Sequence, residues 1–387
     1  MLPERQETVS RLSSVWLPVA ITAAAYLLFI LVRLQHGGWD PSCFVEAGDA
    51  YANASQTPQG LKVARLSDGY DGQFYYRLAL NPFTRKGTDY GIGLDSPAYW
   101  QQRILYPTLV WILTFGRPGL VPVGLILVNY LGLCIMAWCG ARLARSSGLH
   151  SLWGLAFPFY PGFVLTLARD LPEIVAVSCL LATFLLLRRQ RHVAAAVLMF
   201  AALMAKETSL PVLVSAGIVY FMEARRPGGV RSLRWPFLVL PALLYGLWQI
   251  FLLSRWGSLA FLDWRRFATF PLVELSRPMS IALRFGIGDH ILLFFEFYFL
   301  VAAFIVVAWS WRSSSASRHE KVSWLLYAAL ATMLCEHVWS KDWGFLPALS
   351  EFYAIGMLLL IGSRPSLRNA IASGSAVLWL ALFLMRR

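Results

Sequence analysis

The chain has 387 residues, of which 58% are hydrophobic and only 14% charged, well below the charged share of an ordinary soluble domain. Lys and Arg number 34 against 21 Asp and Glu, a formal net charge of +13. Apolar stretches of membrane-spanning length recur along the chain, so a soluble enzyme, a disordered chain and a disulfide scaffold are excluded, and an all-α polytopic membrane protein is expected.

The first apolar stretch is residues 14–33. Glu4, Arg5 and Glu7 precede it and no small-residue cleavage site follows, so it reads as a retained span rather than a signal peptide. Residues 34–102 form the one long non-apolar stretch, with Gly- and Asp-rich turns and Tyr- and Trp-rich pieces suited to the membrane interface. It is expected to be an extracytoplasmic loop carrying interfacial helices. Residues 103–116 are apolar but short and broken by Pro107, so a re-entrant or interfacial helix is expected there. Further spans are drawn at 120–141, 152–168, 172–188, 193–206, 209–223, 235–254, 289–311, 322–339, 345–362 and 368–385. With the first, that makes about 11 transmembrane helices (range 10–13) in a single integral-membrane domain, residues 1–387. Pro158, Pro161, Pro211 and Pro241 supply break points.

Charge orients this arrangement. The basic clusters Arg188/Arg189/Arg191, Arg225/Arg226/Arg231/Arg234, Arg312/Arg318/Lys321 and Arg364/Arg368 fall on one side, which the positive-inside rule makes cytoplasmic. The acids sort to the other: Asp40, Glu46, Asp49, Asp68, Asp71, Asp89, Asp95, Asp170, Glu173, Glu207, Asp263, Asp342 and Glu351. A multi-pass protein of the cytoplasmic (inner) membrane, with its site on the extracytoplasmic side, is the expected localisation. No basic stripe carries the interleaved aromatics of a strand-binding groove, so no nucleic-acid partner is expected. The five cysteines are scattered without a CxxC, and the six histidines lack metal-ligand spacing. Walker A, GxSxG and helix-opening GxGxxG motifs are missing.

Four segments could carry chemistry. In Asp68-Gly-Tyr-Asp-Gly-Gln-Phe-Tyr-Tyr-Arg77, two glycines flank Tyr70-Asp71 and permit a sharp turn that aims Asp71. Such a carboxylate can act as a general base, or bind a cation beside a phosphate; a plain Asp-capped turn is the bland alternative. In Gln101-Gln-Arg-Ile-Leu-Tyr-Pro107, Arg103 stands where polar loop meets apolar helix and can fork onto a phosphate or serve as an interfacial anchor. Arg169-Asp170-Leu-Pro-Glu173 places three charges in an otherwise lipid-compatible hairpin, which is costly unless they pair or face water. Lys206-Glu207-Thr208 is either a neutralised helix junction or part of the same polar pocket. Weaker candidates are Asp263, Arg265, Arg266, Lys341, Asp342 and Glu351, and the intramembrane carboxylates Glu296 and Glu336.

On these residues the chain resembles the GT-C superfamily of integral-membrane glycosyltransferases, and more narrowly bacterial relatives of the GPI mannosyltransferases. Tyr70-Asp71-Gly-Gln-Phe74-Tyr-Tyr-Arg-Leu78-Ala79 is similar to the superfamily's Asp-centred motif after the first helix. Arg103-Ile-Leu-Tyr106-Pro107 is similar to the Tyr-Pro element that opens the next apolar stretch, and Asp170/Glu173 stand where a second acidic site is usual. The resemblance spans about residues 30–210, so 103–210 would be the GT-C core and 211–387 additional helices for lipid or acceptor binding. It implies sugar transfer from a polyprenyl-phosphate donor to a lipid, glycan or protein acceptor at the outer face of the cytoplasmic membrane, with membrane lipid as a further partner. Catalytic candidates are then Asp71, Asp40, Asp170 and Glu173. Arg103, Arg169, Lys206 and Arg77 would hold the donor phosphate, with Tyr70, Gln73, Tyr106, Glu207, Asp342 and Glu351 as further site residues. The resemblance fixes no cofactor and leaves a divalent cation (Mg or Mn) open. The alternatives are a transporter or flippase of a lipid-linked or anionic solute, with Glu296 and Glu336 on its path, and a non-catalytic envelope assembly protein.

Overall fold

The computed structural model describes residues 14–225, 233–260, 268–285 and 291–385. Its secondary structure is almost wholly helical, with two short two-stranded pairings, both in the loop after the first helix. That follows from solvent: in lipid a backbone must satisfy its own N–H and C=O groups, and only the helix does so within one segment.

Among the described residues five helices are long and apolar enough to cross a membrane: Trp16–His36, Val121–Ser146, Trp235–Trp256, Ile291–Ser310 and Pro365–Met385. The bent pair Asp342–Ala348 and Ser350–Ile361, angled at 48°, makes a sixth. The chain is therefore an all-α polytopic membrane protein, but eleven full spans are not reached. The remaining expected spans are shorter helices, among them Gly162–Ala168, Glu173–Arg188, His192–Ala205, Leu210–Ala224 and Arg318–Thr332. At 1.5 Å per residue a 16-residue helix covers only about 24 Å, short of the hydrocarbon core of about 30 Å. Pro158 and Pro161 break the expected 152–168 span into a 3-10 turn, Ser151–Ala156, and the short helix Gly162–Ala168.

Two levels are recognisable along the bundle. At one, Arg188 Nε donates to Glu320 (2.8 Å), its Nη1 reaches Ser147 (3.2 Å), and Ser315 N meets the Gly362 carbonyl (2.9 Å). The first, third and fourth basic clusters thus gather at one end, as the charge pattern predicts; Arg226 and Arg231, in the second, lie outside the described residues. Helices Val121–Ser146, Glu173–Arg188 and Ser350–Ile361 all run toward that end. The starts of the latter two carry Glu173 and Glu351 of the polar cluster described below. Residues 103–116 yield the ten-residue helix Leu105–Thr114, which packs close on Gly124 at the start of the next helix and is too short to span.

The loop after the first helix packs around Phe74, Tyr75, Leu78, Ile92 and Trp100, in a core that continues into the helices through Tyr106, Val121, Leu125 and Val175. Its scaffold is helix Gly72–Leu80, the parallel pair Ala47–Gly48 with Val63–Ala64, and the antiparallel pair Thr88–Asp89 with Ile92–Gly93. Phe74 and Trp100 rings lie 4.4 Å apart, and this aromatic packing fixes the helix that carries Asp71 at its N-cap.

Candidate active site

The site is built on the turn at residues 68–72. Tyr70 N donates to the Glu46 carbonyl (2.8 Å), and Gly48 N donates to the Gln73 side chain (3.2 Å), whose amide returns to the Asp68 carbonyl (2.9 Å). Gly69 sits at φ +64, where a Cβ would fall 2.4 Å from Gly48 N; at Gly72 a Cβ would fall 2.5 Å from the Arg169 carbonyl. Both glycines are therefore required by close backbone approach as well as by the turn. Gln73, expected to face the site, is the clamp that holds this turn shut.

Asp71 caps the helix without spending its carboxylate: it makes no side-chain cap bond, and among the described residues it takes no hydrogen bond or ion pair. It is half-buried. Burial pushes its carboxyl up to about 6; Arg103 and Arg169 pull down, while Glu173 and Asp95 add to the rise.

Around it stand the partners. Arg103 forks onto Glu207, with its Nε 2.8 Å from one carboxylate oxygen and Nη2 on the other, and donates to Tyr99 (2.5 Å) and Tyr75 (3.3 Å). Burial alone would raise the Glu207 carboxyl, but Arg103 holds it below its ordinary value. Lys206 Nζ lies 3.0 Å from Glu173 and 3.9 Å from Glu351, and Thr208 donates to Glu351 at 2.6 Å. Arg169 donates to Glu46 (3.0 Å), which also receives Arg33 (2.9 Å), and its guanidinium lies between the Tyr70 ring (4.6 Å) and the Trp343 ring (4.3 Å). Its buried Nη1 finds no partner among the described residues. Tyr70 OH donates to the Trp343 carbonyl (2.7 Å), tying the loop to the C-terminal third of the chain. Asp342 lies beside this contact, buried, receiving Trp343 N at 2.9 Å.

The four chemistry-bearing segments expected from sequence thus meet in one place. Several individual assignments change. Arg103 and Lys206 are each held by a buried carboxylate, Glu207 and Glu173, whereas Arg169 pairs with the half-buried Glu46 and lies against two aromatic rings. Arg77 does not face the cluster: it is buried in the loop core, giving Nε to the Ile92 carbonyl (2.9 Å) and Nη2 to that of Lys86. Asp40 caps the 3-10 turn Pro41–Phe44 through Ser42 N (2.9 Å) and pairs with Lys62 (3.2 Å). Tyr106 is a packing residue, bonded to the Leu125 carbonyl (3.1 Å) and to Asn129 (2.9 Å). Asp170 is fully buried at φ +50, neither carboxylate oxygen has a partner among the described residues, and burial pushes its carboxyl well above the ordinary range. An enclosed acid does not suit the role of base. Glu296 is enclosed in its helix, whereas Glu336 is exposed and paired with Arg277. Asp263, Arg265 and Arg266 lie outside the described residues.

Sequence reasoning missed Arg33, Tyr75, Tyr99 and Trp343. Arg33 alone left a signal, as a base in the last turn of an apolar helix. Among the described residues no group of three or more His, Cys, Asp and Glu side chains is placed to hold a metal ion.

No family model matches the chain. Over 105 residues, 24% of its length, it is 30% identical to the efflux pump FUB11 of Gibberella moniliformis (strain M3125 / FGSC 7600). The same extent and identity hold for the efflux pump FUBT of Fusarium oxysporum. The matched stretch covers 18% of the length of each relative.

Proposed function

We propose that the chain is a membrane glycosyltransferase of the GT-C kind, moving a sugar from a polyprenyl-phosphate donor to an acceptor hydroxyl, with Asp71 as general base. One observation carries this reading. In a cluster where Glu46, Glu173, Glu207 and Glu351 are engaged by cations or a hydroxyl and Asp170 is enclosed, Asp71 alone among these carboxylates is both unpaired and open to the surface. A base must be free to take a proton, and a carboxyl near pH 6 is well matched to that task at neutral pH.

The step balances as follows. The acceptor O–H gives its proton to Asp71 while its oxygen bonds to the sugar's anomeric carbon. The bond from that carbon to the phosphate oxygen breaks, and its electron pair leaves with the polyprenyl phosphate. Arg169, which lies between two aromatic rings and near enough for its charge to act on Asp71, is the cation suited to the departing phosphate. Arg103 and Lys206 act one layer behind, fixing Glu207 and Glu173. With the basic end cytoplasmic, the site opens on the outer face of the cytoplasmic membrane.

The test is transfer in proteoliposomes from a panel of polyprenyl-phosphate hexoses to lipid and glycan acceptors, read by mass spectrometry. Asp71→Asn should lower transfer about 100-fold or more with the thermal unfolding curve unchanged. Transfer at the wild-type rate in that variant removes Asp71 from the role of base.

A second reading is supported by the partial similarity to two efflux pumps: a transporter of a lipid-linked or anionic solute, with the same charges as a gate. It predicts solute movement across proteoliposome membranes in the absence of any sugar donor.

A further inference from the structure

The loop after the first helix holds a cleft of about 590 Å³, lined by Asp49, Tyr51, Asn53, Gln56, Thr88 and Asp95 together with small residues and Leu94. Its walls are fixed by backbone: Asn53 N to the Gly91 carbonyl (2.8 Å), Gly93 N to the Tyr51 carbonyl (2.9 Å), and the buried Arg77 holding the Ile92 carbonyl (2.9 Å) from beneath. Such a preformed recess with a few convergent polar groups is the usual form of a small-molecule site.

The cleft adjoins the Asp71 helix. The Tyr51 ring stands edge-on to Phe74, 5.2 Å away and three residues past Asp71. Asp95 accepts the Trp100 indole N–H at 2.6 Å, and Trp100 packs on the same Phe74. Asp95 is also near enough for its charge to act on Asp71.

The lining states the ligand's chemistry. It contains carboxylates, amides, a hydroxyl and one aromatic ring, and no Lys, Arg or His. An anionic headgroup would meet two carboxylates and no cation. A metal cation fits no better: Asp49 already receives two backbone N–H groups at 2.9 and 3.0 Å, and Asp95 receives Trp100. Hydroxyl groups, which donate to carboxylates and amide oxygens and accept from amide N–H, suit every group present, and the Tyr51 ring suits the C–H face of a sugar.

We propose that this cleft binds the acceptor as a neutral oligosaccharide and delivers its terminal hydroxyl toward Asp71. This rests on the glycosyltransferase reading above. The experiment is saturation-transfer NMR on the full-length protein in detergent. The probes are a panel of neutral trisaccharides of glucose, mannose and galactose, and the same panel with a terminal phosphate. At least one neutral trisaccharide should bind in the millimolar range or tighter, its phosphorylated form at least tenfold more weakly. Gln56→Trp, an exposed position whose larger side chain fills the cleft, should abolish that binding, and Asp71→Asn should leave it intact. Absence of binding by every neutral probe, tighter binding of the phosphorylated forms, or unchanged binding in Gln56→Trp overturns the proposal. Cleft binding in a protein that transfers no sugar would sink the enzymatic reading and leave the cleft standing. Transfer that is lost in Asp71→Asn but keeps its acceptor KM in Gln56→Trp would do the reverse.

Discussion

Arg103 and Glu207 offer a perturbation whose size follows from burial. Arg103 is only 7% exposed and the Glu207 side chain 11%, and they form a two-pronged pair with Tyr75 and Tyr99 on the remaining donors. Replacing Glu207 by Leu leaves a guanidinium in a dry pocket with two phenols as its partners. Removing one partner of a buried pair costs about 3–5 kcal/mol, because the surviving charge stays desolvated. For a chain of this size that corresponds to a fall in unfolding temperature of about 6–10 °C, taking the lower end of the usual conversion. The double replacement Arg103→Met with Glu207→Leu removes both charges and should recover at least half of the loss, since an apolar pair of like volume is often as stable as the ion pair. The assay is thermal unfolding of the purified protein in detergent, followed by the fluorescence of its 16 tryptophans. A shift below about 2 °C in Glu207→Leu, or a double variant as unstable as the single one, would show that the pair is hydrated in solution and refute the reasoning.

Three more outcomes are expected. Because Asp71 must be deprotonated to act and burial raises its carboxyl to about 6, transfer should halve near pH 6 and fall about tenfold per pH unit below it, where an unperturbed carboxylate would hold its rate to about pH 4; a flat profile from pH 7 to 5 would contradict this. Gly72→Ala places a Cβ 2.5 Å from the Arg169 carbonyl and 2.8 Å from that of Val45, both backbone atoms, and should cost about 1–3 kcal/mol by overpacking while lowering transfer more than stability; normal values of both in that variant would show that the turn yields easily. Single cysteines at the exposed positions Gln190 and Ser55 should react with impermeant maleimide from opposite sides of a sealed membrane vesicle, and labelling of both from one side would overturn the two-level arrangement.

Composition was enough to determine the class of the molecule. A chain this apolar, with bases concentrated in short turns, has no stable solution other than helices in lipid, and the Asp68–Asp71 turn announced itself because paired glycines serve a close approach that other residues cannot make. The number of full spans was not legible. Apolar runs of 14–16 residues read alike whether they cross the bilayer or pack inside a protein, and only packing separates them. Nor could sequence tell Arg77 from Arg169, two arginines beside motif residues, since one gives Nε and Nη2 to backbone carbonyls of residues 92 and 86 in the loop core while the other pairs with Glu46 and lies against the Tyr70 and Trp343 rings. Which charges neutralise each other is settled between residues as distant as 103 and 207, and nothing local encodes that pairing. Local chemistry named the ionisable groups; the tertiary fold, by pairing most of them in a dry interior, left Asp71 as the one among those acids that is free to take a proton.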